Sequence, residues 1–139
     1  MKKLAILAVD DEKIILDSIK IQIEKNFSHK FIFDYADNPE EALEVIDELT
    51  QEDISLLLVI SDYMMPGMTG EEFAIKVKSK IKNANILILT GHMSQEKGLD
   101  LMKKNIVLKV MQKPWREDLL IDFINKLSEN VEEQNNPNR

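Results

Sequence analysis

The sequence predicts an α/β fold in which a strand and a helix alternate five times, written (βα)5. Two observations indicate this fold: five short apolar runs are spread along the chain, and each is followed by a longer segment with helical spacing of its apolar residues. Alternation of this kind predicts one parallel sheet with right-handed crossovers and helices on both faces. With 139 residues, the chain has the length of a single domain.

The five apolar runs are rich in Ile, Leu, Val and Phe, and each is too short for a typical helix. The first, third and fourth are continuously apolar, which is typical of strands buried on both faces of a parallel sheet. The predicted strands are Leu4–Val9, 31–35, 56–60, 86–89 and 106–110.

The segments between the runs carry apolar stripes at intervals of three or four residues, as amphipathic helices do. Examples are Ile15, Ile19 and Ile23 in the first segment, and Leu120, Phe123 and Ile124 in the last.

Two of these helices have clear start signals. Asn38 is a suitable N-cap, Pro39 suits the first helical position, and Glu41 can complete a capping box. Thr69 and Glu72 offer a similar box for the third helix.

The fourth helix, expected over 94–104, has the weakest pattern because Gly98 lies inside it. A glycine there costs roughly 1 kcal/mol relative to alanine, so this helix has low intrinsic stability. The polar residues 129–139 are expected to form a disordered tail. The domain is therefore predicted to span 1–128, with 129–139 as its tail.

Composition excludes several classes of function. The formal net charge is −7, so nucleic acid is not expected as a direct partner. The chain has no cysteine, which excludes disulfides and thiolate metal sites. The first apolar run ends at Asp10, too early for a signal peptide, and no run is long enough to cross a bilayer. A cytoplasmic protein without membrane association is expected.

Polar residues follow four of the predicted strands. In doubly wound sheets, ligands bind beyond the carboxyl ends of the strands, so these residues should converge at one edge. They are Asp10, Asp11 and Glu12 after the first strand, Asp62 after the third, Thr90 after the fourth and Lys113 after the fifth.

Such a set suits phosphoryl chemistry. Carboxylates held close together repel unless a proton or cation joins them, and a small oxygen-only site favours Mg²⁺. A lysine and a hydroxyl would neutralise and hydrogen-bond phosphoryl oxygens. Asp62, alone at the end of the central strand and before the turn-like Met64-Met65-Pro66-Gly67, is the best candidate for a carboxylate nucleophile.

Each residue alone has a simpler interpretation. Asp10 or Asp11 would more often be a helix N-cap, and Asp62 would more often begin a turn. Thr90 could be a capping hydroxyl and Lys113 a solvated charge. The coincidence of these residues at four strand ends favours a functional site.

Taken together, four motifs resemble the receiver domains of response regulators, the CheY-like family. The resemblance extends over about 3–127, and the motifs occur in the order and spacing of that family. They are Val9-Asp10-Asp11-Glu12, Ser61-Asp62-Tyr63-Met64-Met65-Pro66-Gly67-Met68-Thr69-Gly70, Leu89-Thr90-Gly91 and Gln112-Lys113-Pro114-Trp115. The resemblance implies a flavodoxin-like sheet in the order 2-1-3-4-5.

The resemblance also implies roles. Asp62 is the phosphoacceptor, and Asp11, Asp62 and the backbone carbonyl of Met64 hold Mg²⁺, with Asp10 assisting. Thr90 binds a phosphoryl oxygen and Lys113 pairs with the acyl phosphate. The donor is a phosphohistidine on a sensor histidine kinase or a histidine phosphotransfer protein, and an output protein or domain reads the result. The domain would catalyse only its own phosphorylation and dephosphorylation.

One position departs from the family. Many receivers have Tyr or Phe three residues before the lysine, where this chain has Val110, so the usual threonine–aromatic switch is not expected. Met64 and His92 occupy positions that tune phosphoryl lifetime in the family, although His92 could equally be an exposed loop residue. His29 is interpreted as a surface residue and Trp115 as core packing.

Three other functions compete with a phosphorylated switch. A pseudo-receiver would act as a phosphorylation-independent interaction module, but all five key residues are present. An aspartate-nucleophile phosphatase would have a second Asp two residues after the nucleophile, where this chain has Met64. A flavin-binding module would have a hydroxyl- and glycine-rich loop after the first strand, where this chain has acids.

Overall fold

A parallel five-stranded sheet organises the protein, and the computed structural model describes residues 3–134. The sheet order is β2-β1-β3-β6-β7, which is 2-1-3-4-5 for the five sheet strands and confirms the predicted fold. A short antiparallel hairpin, β4-β5, lies outside this sheet. The strands are β1 Leu4–Val9, β2 Ile32–Ala36, β3 Ser55–Ser61, β4 Met64–Met65, β5 Met68–Thr69, β6 Ile86–Thr90 and β7 Lys109–Gln112.

Five helices follow the five sheet strands, and a 3-10 turn at Ser28–Lys30 follows the first helix. Both predicted caps are present: the Asn38 side chain accepts from Glu41 N at 2.8 Å, and Thr69 Oγ1 accepts from Glu72 N at 3.1 Å. Ser94 caps the fourth helix in the same way. The helices are α1 Lys13–Phe27, α2 Pro39–Gln51, α3 Gly70–Lys80, α4 Gln95–Lys103 and α5 Glu117–Gln134.

The core has two parts, one on each face of the sheet. The residues from Leu58 to Ile60 of β3 alternate between them, with Val59 in one cluster and Leu58 and Ile60 in the other. The first cluster includes side chains of α2, α3 and α4, and the second includes side chains of α1 and α5. The sheet strands are therefore covered on both sides, and the site is left to the carboxyl ends of the strands.

Three local expectations differ in part from the structure. The fifth sheet strand begins at Lys109 rather than at residue 106, because Ile106 and Val107 close the end of α4 by donating to Leu101 O at 3.0 and 3.4 Å. Val107 is buried there, so its apolar character reflects packing of a turn. The segment after Asp62 contains the expected turn at Pro66-Gly67, with the short strands β4 and β5 on either side of it forming a β-hairpin.

The third difference concerns the expected tail. Residues 129–134 are helical because α5 continues to Gln134, and Val131 packs against the core cluster on the α1 side of the sheet. Residues 135–139 of the predicted tail lie outside the described residues. No helix in the described part of the chain has the length and apolar character needed to span a membrane.

Candidate functional site

Three carboxylates meet at the carboxyl edge of the sheet. Asp10 and Asp11 follow β1, and Asp62 follows β3. Backbone hydrogen bonds fix their neighbourhood, since Asp62 N donates to Val9 O at 3.0 Å and Asp10 N donates to Ala36 O at 3.2 Å. One oxygen from each of the three carboxylates lies within 4.8 Å of the others. The sequence-based expectation that these acids converge is confirmed.

Burial divides the three acids. Asp10 is 2% exposed and Asp62 is 8% exposed, whereas Asp11 lies at the surface. Asp10 is not the N-cap of α1, because that position is taken by Glu12. Instead, Asp10 Oδ1 accepts a hydrogen bond from Glu12 N at 2.9 Å, which shapes the turn between β1 and α1.

Lys113 supplies the positive charge of the site. Its Nζ lies 2.7 Å from Asp10 Oδ2 and 3.5 Å from Asp62 Oδ2. The backbone N of Lys113 donates to Thr90 O at 2.9 Å, which continues the pairing of β7 with β6 as far as the site. The ammonium group therefore reaches both buried carboxylates from the end of the neighbouring strand.

Thr90 lies at the end of β6, where it is almost fully buried. Its Oγ1 accepts a hydrogen bond from His92 N at 3.2 Å. Among the described residues, this hydroxyl is bonded to the loop that follows it and not to any of the three carboxylates. The side chain of His92 is exposed, in agreement with the simpler interpretation of that residue.

The charges of the site perturb each other. Burial raises the pKa of Asp62, and the nearby negative charge of Asp10 acts in the same direction, while Lys113 and the Tyr63 N–H oppose the rise. Burial disfavours the Lys113 ammonium, but its hydrogen bond to Asp10 and the charges of Asp10, Asp62 and Glu12 outweigh this and raise the lysine's pKa. Lys113 is thus a cation at neutral pH.

The backbone around Asp62 is tightly constrained, and sequence reasoning did not assign this feature to any residue. Asp62 Oδ1 accepts from Tyr63 N at 2.8 Å, and Gly70 N donates to Tyr63 O at 2.6 Å. A Cβ on Gly70 would lie 2.7 Å from the backbone oxygen of Asp62 and 2.9 Å from Tyr63 Cα. Only glycine fits at the first position of α3. The sequence indication of this position was that Gly70 directly follows Thr69, the predicted N-cap.

Met64 begins the β4-β5 hairpin, where it pairs with Thr69. The hairpin fixes the Met64 backbone directly after Tyr63, and the Met64 side chain is 56% exposed. The expected coordination by the Met64 carbonyl stays a prediction.

The donor set suits a hard divalent cation. All three converging side chains offer carboxylate oxygen, which Mg²⁺ prefers, and none offers nitrogen or sulfur. The exposed position of Asp11 leaves one side of the cluster open to water and to a phosphate. This arrangement can hold Mg²⁺ and present the Asp62 carboxylate beside it.

Val110 lies where many relatives have an aromatic ring. It is partly buried on β7, and a methyl group placed on Gly98 of α4 would meet Val110 Cγ1 at 3.5 Å. The small residues on both elements bring α4 close to β7.

Trp115 packs against the core cluster on the α1 side of the sheet, as predicted. Sequence patterns did not indicate its polar contact: the indole Nε1 donates to Gln22 Oε1 of α1 at 2.9 Å.

Comparison with known proteins agrees with this fold. The family model described as "Response regulator receiver domain" matches residues 6–125. The chain therefore belongs to the response regulator receiver domains, which are parts of two-component signalling systems, and the sequence-based resemblance is confirmed.

Individual relatives give the same picture. The uncharacterized transcriptional regulatory protein YesN of Bacillus subtilis is 30% identical over 93% of this chain. A CheY-like receiver domain protein from Methanospirillum hungatei has a solved structure with a TM-score of 0.75 at 28% identity, covering 96% of this chain and 99% of that one. A receiver domain from Clostridium thermocellum gives a TM-score of 0.78 at 26% identity, covering 95% of this chain and 98% of that one.

The chain spans only part of its curated relatives. It covers 33% of the length of YesN, and 16% and 54% of two other regulators.

Proposed function

We propose that this chain is a phosphorylated signalling switch in which Asp62 accepts a phosphoryl group in a Mg²⁺-dependent reaction. The observation that carries the proposal is the buried Asp62 carboxylate beside Asp10, Asp11 and the Lys113 ammonium, all at one sheet edge. The donor is a phosphohistidine of a sensor histidine kinase or a histidine phosphotransfer protein, as the family membership suggests. The expected location is the cytoplasm.

Transfer begins with attack of an Asp62 carboxylate oxygen on phosphorus. The phosphorus–nitrogen bond of the donor breaks, and its electron pair stays on the imidazole nitrogen, which is then protonated. Mg²⁺, held by Asp10, Asp11, Asp62 and the Met64 carbonyl, would neutralise charge on the phosphoryl oxygens.

The chain's own residues orient the reaction. The Tyr63 N–H holds Asp62 Oδ1, so the carboxylate has a fixed direction. Lys113, which now contacts Asp10, lies 3.5 Å from Asp62 Oδ2 and is placed to pair with the oxygens of the arriving phosphoryl group. The Thr90 hydroxyl would donate to a phosphoryl oxygen, and a movement of Oγ1 toward that oxygen would alter the bond it accepts from His92 N, which couples phosphorylation to the loop after β6.

Intact mass spectrometry tests the proposal. The protein is incubated with Mg²⁺ and either acetyl phosphate or phosphoramidate, and we expect a gain of one phosphoryl group. Asp62→Asn and removal of Mg²⁺ by EDTA should abolish the gain. Asp47→Asn is a matched control, because Asp47 lies on α2 in an exposed ion pair with Lys80 and should leave the gain unchanged.

A negative result is also decisive. If neither donor adds mass, and beryllofluoride with Mg²⁺ leaves the fluorescence of Trp115 unchanged, the phosphorylated switch is refuted. A pseudo-receiver that acts only by protein interaction would then explain the fold better.

A further inference from the structure

The segment that carries Lys113 into the site is the loop between β7 and α5, residues 113–116. At the start of this loop, the backbone N of Lys113 donates to Thr90 O at 2.9 Å. Pro114 has no N–H to donate. Arg116 pairs with Asp118 of α5. The position of the loop relative to the rest of the domain is therefore decided largely at Trp115.

Trp115 ties this loop to α1. Its ring packs against the core cluster on the α1 side, and its Nε1 donates to Gln22 Oε1 at 2.9 Å. Within residues 3–134, this is the one side-chain hydrogen bond from the loop to α1. Packing fixes the depth of the ring, and the directional hydrogen bond fixes its rotation.

The helix that hydrogen-bonds Trp115 is α1, which also begins close to Asp10. α1 starts at Lys13, directly after the turn in which Glu12 N donates to Asp10 Oδ1 at 2.9 Å. Asp10 and the Lys113 loop are thus both attached to α1, and the 2.7 Å contact between Lys113 Nζ and Asp10 Oδ2 joins the two attachments.

We infer that Gln22 is a positioning residue for phosphoryl transfer: through Trp115, it holds the loop that aims Lys113 at Asp62. The inference rests on the proposed function and adds a residue outside the group formed by the three carboxylates and Lys113. Lysine side chains are long and flexible, so the accuracy of the ammonium position depends on the backbone that carries it.

Three variants test the inference. Gln22→Leu keeps the bulk but removes the acceptor, and it should slow phosphorylation by acetyl phosphate about fivefold or more. Gln22→Glu keeps an oxygen acceptor for the indole and should restore most of the rate. Asn26→Leu removes the hydrogen bonds from Asn26 Nδ2 to Glu117 Oε2 of α5 at 3.1 Å and to the backbone O of Gln22 at 2.7 Å, but it keeps the Gln22 side chain that accepts from Trp115, so it should leave the rate within twofold.

Two further readouts separate positioning from general loosening. The Mg²⁺ affinity measured by calorimetry should stay unchanged in Gln22→Leu, because the proposed ligands are not touched. Trp115→Phe keeps most of the ring but removes the donor, so it should slow the rate as Gln22→Leu does. The double variant should be no slower than either single variant, because each substitution removes the same hydrogen bond between Trp115 and Gln22.

Several results would overturn the inference. They are a rate within twofold of wild type for Gln22→Leu, an equal loss in Asn26→Leu, or additive losses in the double variant. Wild-type protein that accepts no phosphoryl group from any donor would instead refute the proposed function itself, so the two failures are distinguishable.

Discussion

Gly98 offers a sharp test of how α4 packs on β7. It lies in the first half of α4, where its N donates to Ser94 O at 3.1 Å, and it is buried. A methyl group at this position would lie 3.5 and 3.6 Å from Val110 Cγ1 and Cβ, and 3.7 Å from Met93 Sδ. These are ordinary van der Waals distances, so the structure has room for alanine.

The expected gain can be worked out from two contributions. Alanine is favoured over glycine in a helix by about 1 kcal/mol. Burying one methyl group adds at most about 0.8 kcal/mol, part of which is lost because the neighbours must adjust slightly. We expect Gly98→Ala to raise the free energy of unfolding by about 1 kcal/mol, and the melting temperature by about 3 to 5 °C.

Urea unfolding followed by circular dichroism measures this difference. Gly70→Ala is the matched comparison, because the same added methyl would meet backbone atoms of Asp62 and Tyr63 at 2.7 and 2.9 Å. That variant should lose about 2 kcal/mol or more. If Gly98→Ala were destabilised as well, α4 would lie closer to β7 than these distances indicate, and the predicted room for a methyl group would be refuted.

Three other predictions follow from buried or paired polar groups. Ser128 is fully buried and its Oγ has no partner in the described chain, so Ser128→Ala should raise stability by about 1 kcal/mol in urea unfolding; a loss would reveal a missed partner. Lys113→Met leaves Asp10 and Asp62 without their cation, so in EDTA the free energy of unfolding should fall by up to about 3 kcal/mol. Added Mg²⁺ should restore part of this loss, and an equal loss with and without Mg²⁺ would contradict the prediction. A hydrogen bond from Lys25 of α1 lowers the pKa of Glu117. The ion pair therefore stabilises the fold above the ordinary glutamate pKa of about 4.3, and this stabilisation disappears as the pH falls through the lowered pKa. Glu117→Gln should flatten the acid limb of the curve of stability against pH, and an unchanged limb would contradict this prediction.

Local sequence patterns predicted the parts of the fold that depend on neighbouring residues. Continuous apolar runs identified the buried strands, and the capping boxes at Asn38 and Thr69 identified the starts of α2 and α3. The same logic brought Asp10, Asp11 and Asp62 to one edge, since parallel strands place their carboxyl ends together.

The errors arose where packing in the core decides the structure. Val107 is apolar because it closes the end of α4 in a buried turn, so its pattern resembles that of a strand. The polar residues 129–134 remain helical because Val131 still finds the core. The bond between Gln22 and Trp115 joins residues that are 93 positions apart, and no local pattern encodes it.

The departure at Val110 changes what can connect the site to α4. At Val110, β7 approaches α4 so closely that a methyl group on Gly98 would contact Val110 Cγ1 at 3.5 Å. This contact between the two described elements has no aromatic side chain. The described contacts instead run from Thr90 Oγ1 to His92 N, and from there along the chain to the buried Met93, which lies against Gly98. A change in the hydrogen bond of Thr90 would therefore act on α4 through the backbone of this loop, without the rotation of an aromatic side chain.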